Sequence, residues 1–279
     1  MKKNFIIRLL TGTVFVAVLV GCILSGPIPF SVLFAIICAM TINEFGNIME
    51  KSGLAQINRP IAMLSGVFLF LGFAYLGVSP GSTEILIPYL FLLLYVFISE
   101  LYKKKENPVN NIAYSMMAQL YIALPFAMLN ILAFFSSGES ESSVYSYILP
   151  LSIFIFTWIN DTGAYCTGVL FGRHRLFERI SPKKSWEGWF GGCAFSIIGA
   201  VVIAKYFPIL TMAEWIGLAV TIVVFGTWGD LVESLIKRSI GIKDSGNILP
   251  GHGGLLDRFD STLLAVPASV VYLYIISML

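Results

Sequence analysis

Two aspartates near the end of the chain have a spacing that could bind a divalent cation. Asp257 and Asp260 stand three residues apart at the start of an apolar run. If a helix begins by Asp257, both carboxylates lie on one face, near a terminus whose dipole favours negative charge. Mg²⁺ prefers hard oxygen ligands and usually takes one or two carboxylates plus substrate phosphates. Together with the Lys and Arg residues and the glycine-rich turns of segment 233–260, these carboxylates predict chemistry on a magnesium-bound phosphate.

Two further aspartates lie in or beside apolar runs, where a charge is expensive. Asp161 falls inside such a run, and a carboxylate at membrane depth costs at least about 2.5 kcal/mol. It should therefore face a polar cavity or a basic partner. Asp230 follows Gly229, and a glycine lets another backbone or a ligand come close. Two simpler interpretations stay open: a structural ion pair for Asp161, and a helix-end carboxylate that reaches water for Asp230.

A second polar segment, residues 171–186, is basic and contains a defined turn. A basic loop beside a bilayer attracts anionic lipids, and that attraction alone would only orient the chain. The run Ser181-Pro182-Lys183-Lys184-Ser185-Trp186-Glu187-Gly188, however, has Pro and Gly residues that restrict its shape. A more specific role than membrane anchoring is therefore indicated.

These segments must be positioned by membrane helices. The chain has 279 residues, of which 57% are hydrophobic and only 12% charged, and its mean hydropathy is +0.84. Soluble domains are about 25% charged, and disordered chains are poor in apolar residues, so both classes are excluded. The four cysteines form no CxxC pair, which indicates neither a disulfide framework nor a zinc site.

Nine apolar runs are long enough for transmembrane helices, which need about 20 residues each. All but one of the 18 Lys and Arg residues then fall on one side of the membrane, and Lys205 is the exception. The positive-inside rule predicts a cytoplasmic N-terminus and an outside C-terminus. The predicted fold class is all-α, a polytopic integral membrane protein with about nine transmembrane helices. The runs are 9–26, 28–48, 60–78, 82–101, 112–135, 147–170, 187–206, 212–232 and 261–279.

A Ser- and Glu-rich stretch at 136–146 separates two regions of different composition. Region 1–135 contains the first five runs and few polar residues within them. Region 147–279 contains the other four runs and the loops 171–186 and 233–260, which are rich in Asp, Lys, Arg and Gly. The chemistry is therefore predicted in the second region.

The run from Ser234 to Asp260 resembles the signature of the phosphatidate cytidylyltransferases, also called CDP-diacylglycerol synthases. It reads S-x-x-K-R-x4-K-D-x-G-x2-L-P-x-H-G-G-L-x-D-R-F-D and does not depart from that pattern. The match in motif detail covers about residues 158–261, whereas the N-terminal half is similar only in length and hydrophobic pattern. The shorter motifs that resemble the family are Asn160-Asp161-Thr162-Gly163-Ala164-Tyr165, the run from Ser181 to Gly188, and Gly229-Asp230.

The resemblance implies a nucleotidyltransferase of phospholipid biosynthesis that uses Mg²⁺, CTP and phosphatidic acid and releases pyrophosphate. It further implies a cytoplasmic-facing site in the cell inner (plasma) membrane, no nucleic-acid partner, and a possible homodimer. Asp230 and Asp257 are the expected metal ligands and catalytic residues, with Lys183 as a third catalytic residue. Asp161 and Asp260 are weaker candidates for the metal. The expected substrate-binding residues are Lys184, Lys237, Arg238, Lys243, His252 and Arg258.

Two other classes of protein fit part of the pattern. A transporter would place functional polar residues near the membrane midplane, whereas here they crowd one face. A related lipid enzyme, such as a CTP-dependent polyprenol kinase, is the other alternative. The D-G-x2-A-R run of the CDP-alcohol phosphotransferases is absent, which argues against that class.

The charge asymmetry predicts the accessibility of two positions. Ser137→Cys should react with a membrane-impermeant thiol reagent from outside the cell, and Lys104→Cys only from inside. The reason is that the two positions fall on opposite sides of the nine-run arrangement. The opposite labelling pattern would exclude that arrangement and the cytoplasmic site.

Overall fold

The computed structural model describes residues 2–104, 106–135, 144–248, 251 and 253–278, and of residues 2–7 only the backbone. Apart from one short hairpin, its regular elements are helices. The first half contains α1 (Lys2–Leu24), α2 (Pro27–Lys51), α3 (Arg59–Val78), a 3₁₀ turn (Thr83–Leu86), α4 (Ile87–Tyr102), α5 (Pro108–Met117), a π-helical turn (Ala118–Ala123) and α6 (Leu124–Ala133). The second half contains α7 (Ile148–Phe171), β1 (Arg175–Phe177), β2 (Ser181–Ser185), α8 (Trp186–Tyr206), α9 (Met212–Ser239) and α10 (Leu256–Ser277).

The predicted all-α, polytopic membrane fold is confirmed. Within the described residues, seven helical segments are long and apolar enough to cross a bilayer. The other two predicted runs are also helical, in α7 and in the shorter apolar stretch Arg8–Leu24 of α1, but they are not among the seven. The count of nine and the cytoplasmic N-terminus therefore stay predictions. The seven segments are Pro27–Lys51, Arg59–Val78, Thr83–Tyr102, Pro108–Ala133, Trp186–Tyr206, Met212–Ser239 and Leu256–Ser277.

Proline lies in the first turn of five helices in the first half, and in α6 it is Pro125, directly after the π-helical turn. The first turns of α2, α3, α4 and α5 contain Pro27, Pro60, Pro88 and Pro108, respectively. A proline fits there because the first helical N–H groups have no partner within the helix. Between α1 and α2, Gly26 has φ 116°, a conformation that favours glycine. These residues fix where the apolar runs begin as helices.

The two polar segments, 171–186 and 233–260, contain regular secondary structure and are not loops alone. In 171–186, β1 and β2 pair as an antiparallel hairpin. In 233–260, α9 continues to Ser239 and α10 already begins at Leu256. The predicted runs ended where apolar residues end, whereas α9 continues because charged side chains pair along it, as Glu233 and Lys237 do one turn apart.

The chain forms two compact units. The first comprises Met1–Tyr147 with Asp244–Phe259, and the second comprises Ile148–Lys243 with Asp260–Leu279. Residues 244–259 thus belong with the N-terminal helices in packing. The predicted division into regions 1–135 and 147–279 was drawn from composition and stays a prediction.

Aromatic side chains form the core of the first unit. Phe259, at the start of α10, is fully buried. Its ring centroid lies 5.3 Å from that of Phe126 and 6.4 Å from that of Phe34. Edge-to-face aromatic pairs at such distances add about 0.5–1.5 kcal/mol each beyond area burial. The beginning of α10 is therefore anchored between α2 and α6.

In the second unit, α7 and α8 approach closely because glycines line their contact. A Cβ at Gly163 would stand 3.1 Å from the Cα of Gly192, and one at Gly188 would stand 2.9 Å from the carbonyl oxygen of Ala164. Small residues at such contacts let membrane helices pack backbone to backbone. This close packing sets the position of α7 relative to the hairpin that leads into α8.

A pair of glycine substitutions tests this packing. Gly192→Ala should lower the free energy of unfolding by about 1–3 kcal/mol, because its Cβ would lie 2.7 Å from the carbonyl oxygen of Asn160. Gly21→Ala in α1 meets no atom within 4 Å and should instead stabilise by about 0.5–1 kcal/mol. Thermal unfolding in detergent measures both, and equal shifts would contradict the close α7–α8 contact.

Candidate active site

Three carboxylates come together in the second unit. Asp230 and Glu233 lie one turn apart on α9, Asp260 lies on α10, and one carboxylate oxygen of each is within 4.8 Å of the others. Gly229 allows this approach of the two helices. A Cβ there would be 2.5 Å from the carbonyl oxygen of Asp260 and 3.1 Å from the Cα of Ser261. The Gly229-Asp230 motif thus places a close helix contact beside one of the three carboxylates.

Two lysines pair with this carboxylate cluster, which we define as Asp230, Glu233 and Asp260. Lys184 of β2 forms an ion pair with Asp230, and Lys237 forms one with Glu233. Ser261 donates its backbone N–H to Asp260 at 2.6 Å. The ion pairs support a structural role for the carboxylates. Three hard oxygen donors this close together also fit the ligand preference of a divalent cation such as Mg²⁺.

A cavity of about 460 Å³ lies in the same unit and is lined by predicted site residues. Asp161 lines it, and this gives the carboxylate the polar surroundings that its place in an apolar run requires. Asp161 and Lys184 are also close enough to Asp260 to act on its carboxyl group electrostatically. The other lining residues are Asn160, Ala164, Tyr165, Gly168, Val169, Arg175, Leu176, Pro182, Lys183, Ser185, Gly188, Trp189 and Thr227.

The hairpin fixes the basic residues at this cavity. Arg175 pairs with Ser185 across the two strands, so Lys183 and Lys184 sit on a paired strand rather than a free loop. Ser185 accepts the backbone N–H of Gly188 at 3.1 Å and caps α8. Such a cap is typically worth about 1 kcal/mol. Strand β2 therefore holds the ammonium groups of Lys183 and Lys184 at the cavity.

Asp257 lies in the first unit, in the first turn of α10. Its carboxylate accepts the backbone N–H groups of Ser245, at 3.0 Å, and of Gly254, at 2.9 Å. These hydrogen bonds link Ser245 and Gly254 to the first turn of α10. Asp230 belongs to the other unit, and the joint role of the two aspartates as metal ligands stays a prediction.

Among the remaining predicted residues, Arg238 lies in the last turn of α9, Lys243 follows that helix, and Arg258 lies in the first turn of α10. Arg238 donates to the carbonyl oxygen of Ile242 at 3.0 Å, while Lys243 and Arg258 have exposed side chains. His252 lies outside the described residues. Exposed cations of this kind are available to bind phosphates.

Sequence reasoning missed three residues of these sites. Glu233 is three residues after Asp230, and helical spacing alone would have placed both on one face. Arg175 was assigned only to a basic surface. Glu44 is a carboxylate inside the second apolar run, where a charge is costly. It is buried and accepts the backbone N–H groups of Leu255 and Leu256.

Comparison with known proteins covers nearly the whole chain. The profile of the cytidylyltransferase family matches residues 6–276. The chain is 33% identical to a phosphatidate cytidylyltransferase of Staphylococcus aureus over 264 residues, which cover 94% of this chain and 96% of the relative. A protein of the same name from Staphylococcus haemolyticus is 38% identical, with 75% of this chain and 90% of the relative covered.

A third relative matches more strongly over a shorter stretch. A phosphatidate cytidylyltransferase of Staphylococcus epidermidis is 45% identical over 157 residues, which are 56% of each chain. The resemblance that the motifs indicated is confirmed by these matches, and the chain belongs to the cytidylyltransferase family.

Proposed function

We propose that this protein transfers the cytidylyl group of CTP to phosphatidic acid, giving CDP-diacylglycerol and pyrophosphate in a Mg²⁺-dependent reaction. The observation that carries this proposal is the carboxylate cluster with its paired lysines, in the unit that also contains a basic cavity. The names of the relatives support the choice of substrates.

The reaction is a substitution at phosphorus. An oxygen of the phosphatidic acid phosphate attacks the α-phosphorus of CTP, the bond to the β-phosphate oxygen breaks, and pyrophosphate leaves. Phosphoryl transfer of this kind depends on positioning and charge neutralisation and needs no covalent enzyme intermediate. Arg175, Lys183 and Lys184 line the cavity and supply fixed positive charge for the phosphates.

The Mg²⁺ ion would be held by the carboxylate cluster, with Asp230 and Asp260 on two neighbouring helices and Glu233 one turn from Asp230. A bound metal ion neutralises charge on the transferred phosphoryl group and on the leaving pyrophosphate, a contribution of several kcal/mol. Lys184 pairs with Asp230 and lines the cavity, so it would serve both the proposed metal ligands and the substrate phosphates. Asp257 and Asp161 are further candidate ligands.

The two substrates differ in where they come from. CTP would reach the basic segments from the cytoplasm, and phosphatidic acid would enter sideways from the inner (plasma) membrane. Tyr165 and Val169 line the cavity and are 73% and 69% exposed on α7. Such apolar surface suits acyl chains. We further propose that Lys237, Arg238, Lys243, His252 and Arg258 bind phosphates and that the enzyme forms a homodimer.

Two aspartate substitutions test the metal site. Asp230→Asn and Asp257→Asn should abolish turnover of labelled CTP with phosphatidic acid, because an amide keeps the size but lacks the charge that Mg²⁺ needs. Excess Mg²⁺ or Mn²⁺ should restore part of the activity. Activity and thermal unfolding are measured on the same preparation in detergent.

The control for these variants is Glu84→Gln, which removes an exposed carboxylate in the 3₁₀ turn and should leave activity unchanged. A purely structural aspartate gives a different result: lower thermal stability, with activity per folded molecule retained. Near-normal activity of either aspartate variant at limiting Mg²⁺ removes that residue from the metal site.

The cavity lysines are tested separately. Lys183→Ala and Lys184→Ala should raise the KM for CTP more than the KM for phosphatidic acid. A charge-assisted phosphate contact is worth about 1.5–3 kcal/mol. Arg179→Ala is the matched control. Arg179 is an exposed cation between the two strands of the same hairpin, but it does not line the cavity. An unchanged CTP dependence in both lysine variants would assign them to membrane orientation.

A further inference from the structure

A buried carboxylate in the N-terminal half holds the segment that carries the family signature. Glu44 lies on α2, in a helix that is otherwise largely apolar, and is only 4% exposed. Its two oxygens face a segment about 200 residues later in the chain, within the same compact unit. Burying a carboxylate costs several kcal/mol unless hydrogen bonds replace its hydration. The partners of Glu44 therefore identify what the residue does.

Three donors converge on the Glu44 carboxylate. Leu255 donates its backbone N–H to Oε2 at 2.9 Å, and Leu256 donates to Oε1 at 3.3 Å. The hydroxyl of Ser245 donates to Oε1 as well. Leu255 and Leu256 stand at the N-terminus of α10, where N–H groups lack helical partners and negative charge is favoured. Glu44 is therefore a cap for α10 supplied from another helix.

Two glycines of the signature leave room for this carboxylate. A Cβ at Gly254 would collide with Oε1 of Glu44, and one at Gly246 would come within 3.0 Å of its carboxyl carbon. Residues 245–246 and 254–256 are thus shaped around the Glu44 side chain. Neither glycine has a positive φ, so the close approach of Glu44, and not the backbone conformation, is the reason for glycine at both positions.

Ser245 connects Glu44 to Asp257. Its hydroxyl donates to Glu44, while its backbone N–H donates to the carboxylate of Asp257. Gly254 is likewise shared, because its N–H donates to Asp257 and its Cα faces Glu44. Removing the Glu44 charge would therefore loosen the same two residues that orient Asp257.

We propose that Glu44 is a positioning residue for the reaction: it clamps residues 245–246 and 254–256, and so orients Asp257 and the basic residues Lys243 and Arg258 that flank them. The inference rests on the proposed function, because it assigns Glu44 to the handling of CTP and Mg²⁺. Groups that orient metal ligands typically contribute about 10- to 100-fold to metal affinity or activity.

The test compares two buried glutamates of the first unit in the full-length protein. Glu44→Gln keeps the shape, but whichever way its amide turns, its NH₂ group faces a backbone N–H of Leu255 or Leu256. Glu100→Gln is the matched control: Glu100 is also buried, and it accepts a hydrogen bond from Asn111, outside the signature. The readouts are hydrogen–deuterium exchange of peptides covering 244–258, the KM values of CTP and phosphatidic acid, and half-saturation by Mg²⁺.

We expect Glu44→Gln to speed exchange at the start of α10 and to raise the KM for CTP or the half-saturating Mg²⁺ concentration by about 10- to 100-fold. The KM for phosphatidic acid and all values for Glu100→Gln should stay near those of the wild type. A lower melting temperature with unchanged CTP and Mg²⁺ dependence overturns the inference and makes Glu44 merely structural. A wild-type protein that is inactive with CTP and phosphatidic acid instead refutes the proposed function. In that case, hydrogen–deuterium exchange of Glu44→Gln that equals that of the wild type would also refute the proposed clamp.

Discussion

Carboxylates inside an apolar helical protein must find partners, and that constraint governs the arrangement of the polar residues here. Glu44 and Asp257 satisfy it with hydrogen-bond donors from one segment, chiefly backbone N–H groups. Asp230 and Glu233 satisfy it with lysine ammonium groups. In each case the partner belongs to the segments that the motifs mark as chemical. The cost of burying a charge thus ties the membrane helices to the polar segments of the same unit.

Glycines make these arrangements possible because they let backbones and carboxylates come close. At Gly229 the α9 helix meets the backbone of Asp260, and at Gly188 and Gly192 the α8 helix meets α7. At Gly254 the space that a side chain would take is filled by the carboxylate of Glu44. The glycines in the family motifs are therefore packing residues as well as turn residues.

A cytidylyltransferase has to bring several negatively charged groups together. In the proposed reaction, the cations of the hairpin and the carboxylate oxygens on two helices would meet this need without a nucleophile from the protein. Because the lysines that pair with the carboxylates also have ammonium groups suited to phosphates, the same residues can neutralise the site before and during substrate binding. In the proposed reaction, these lysines would exchange a carboxylate partner for a substrate phosphate.

The sequence alone determined the fold class and the family. Apolar runs of membrane length are visible residue by residue, and a signature with many fixed positions is local information, so both could be read from the printed chain. It also identified the lysines of the hairpin and the aspartates of α9 and α10 as the polar residues that need an explanation.

Only the tertiary structure decided which of these residues are neighbours. It added Glu233 to the carboxylate cluster, turned the 171–186 loop into a hairpin, and brought Glu44 to Leu255 and Leu256. Helical spacing in the sequence could have predicted the place of Glu233, but it could not have predicted that of Glu44. Its partners are backbone N–H groups about 200 residues away, which carry no side-chain pattern, and their position depends on how the helices pack.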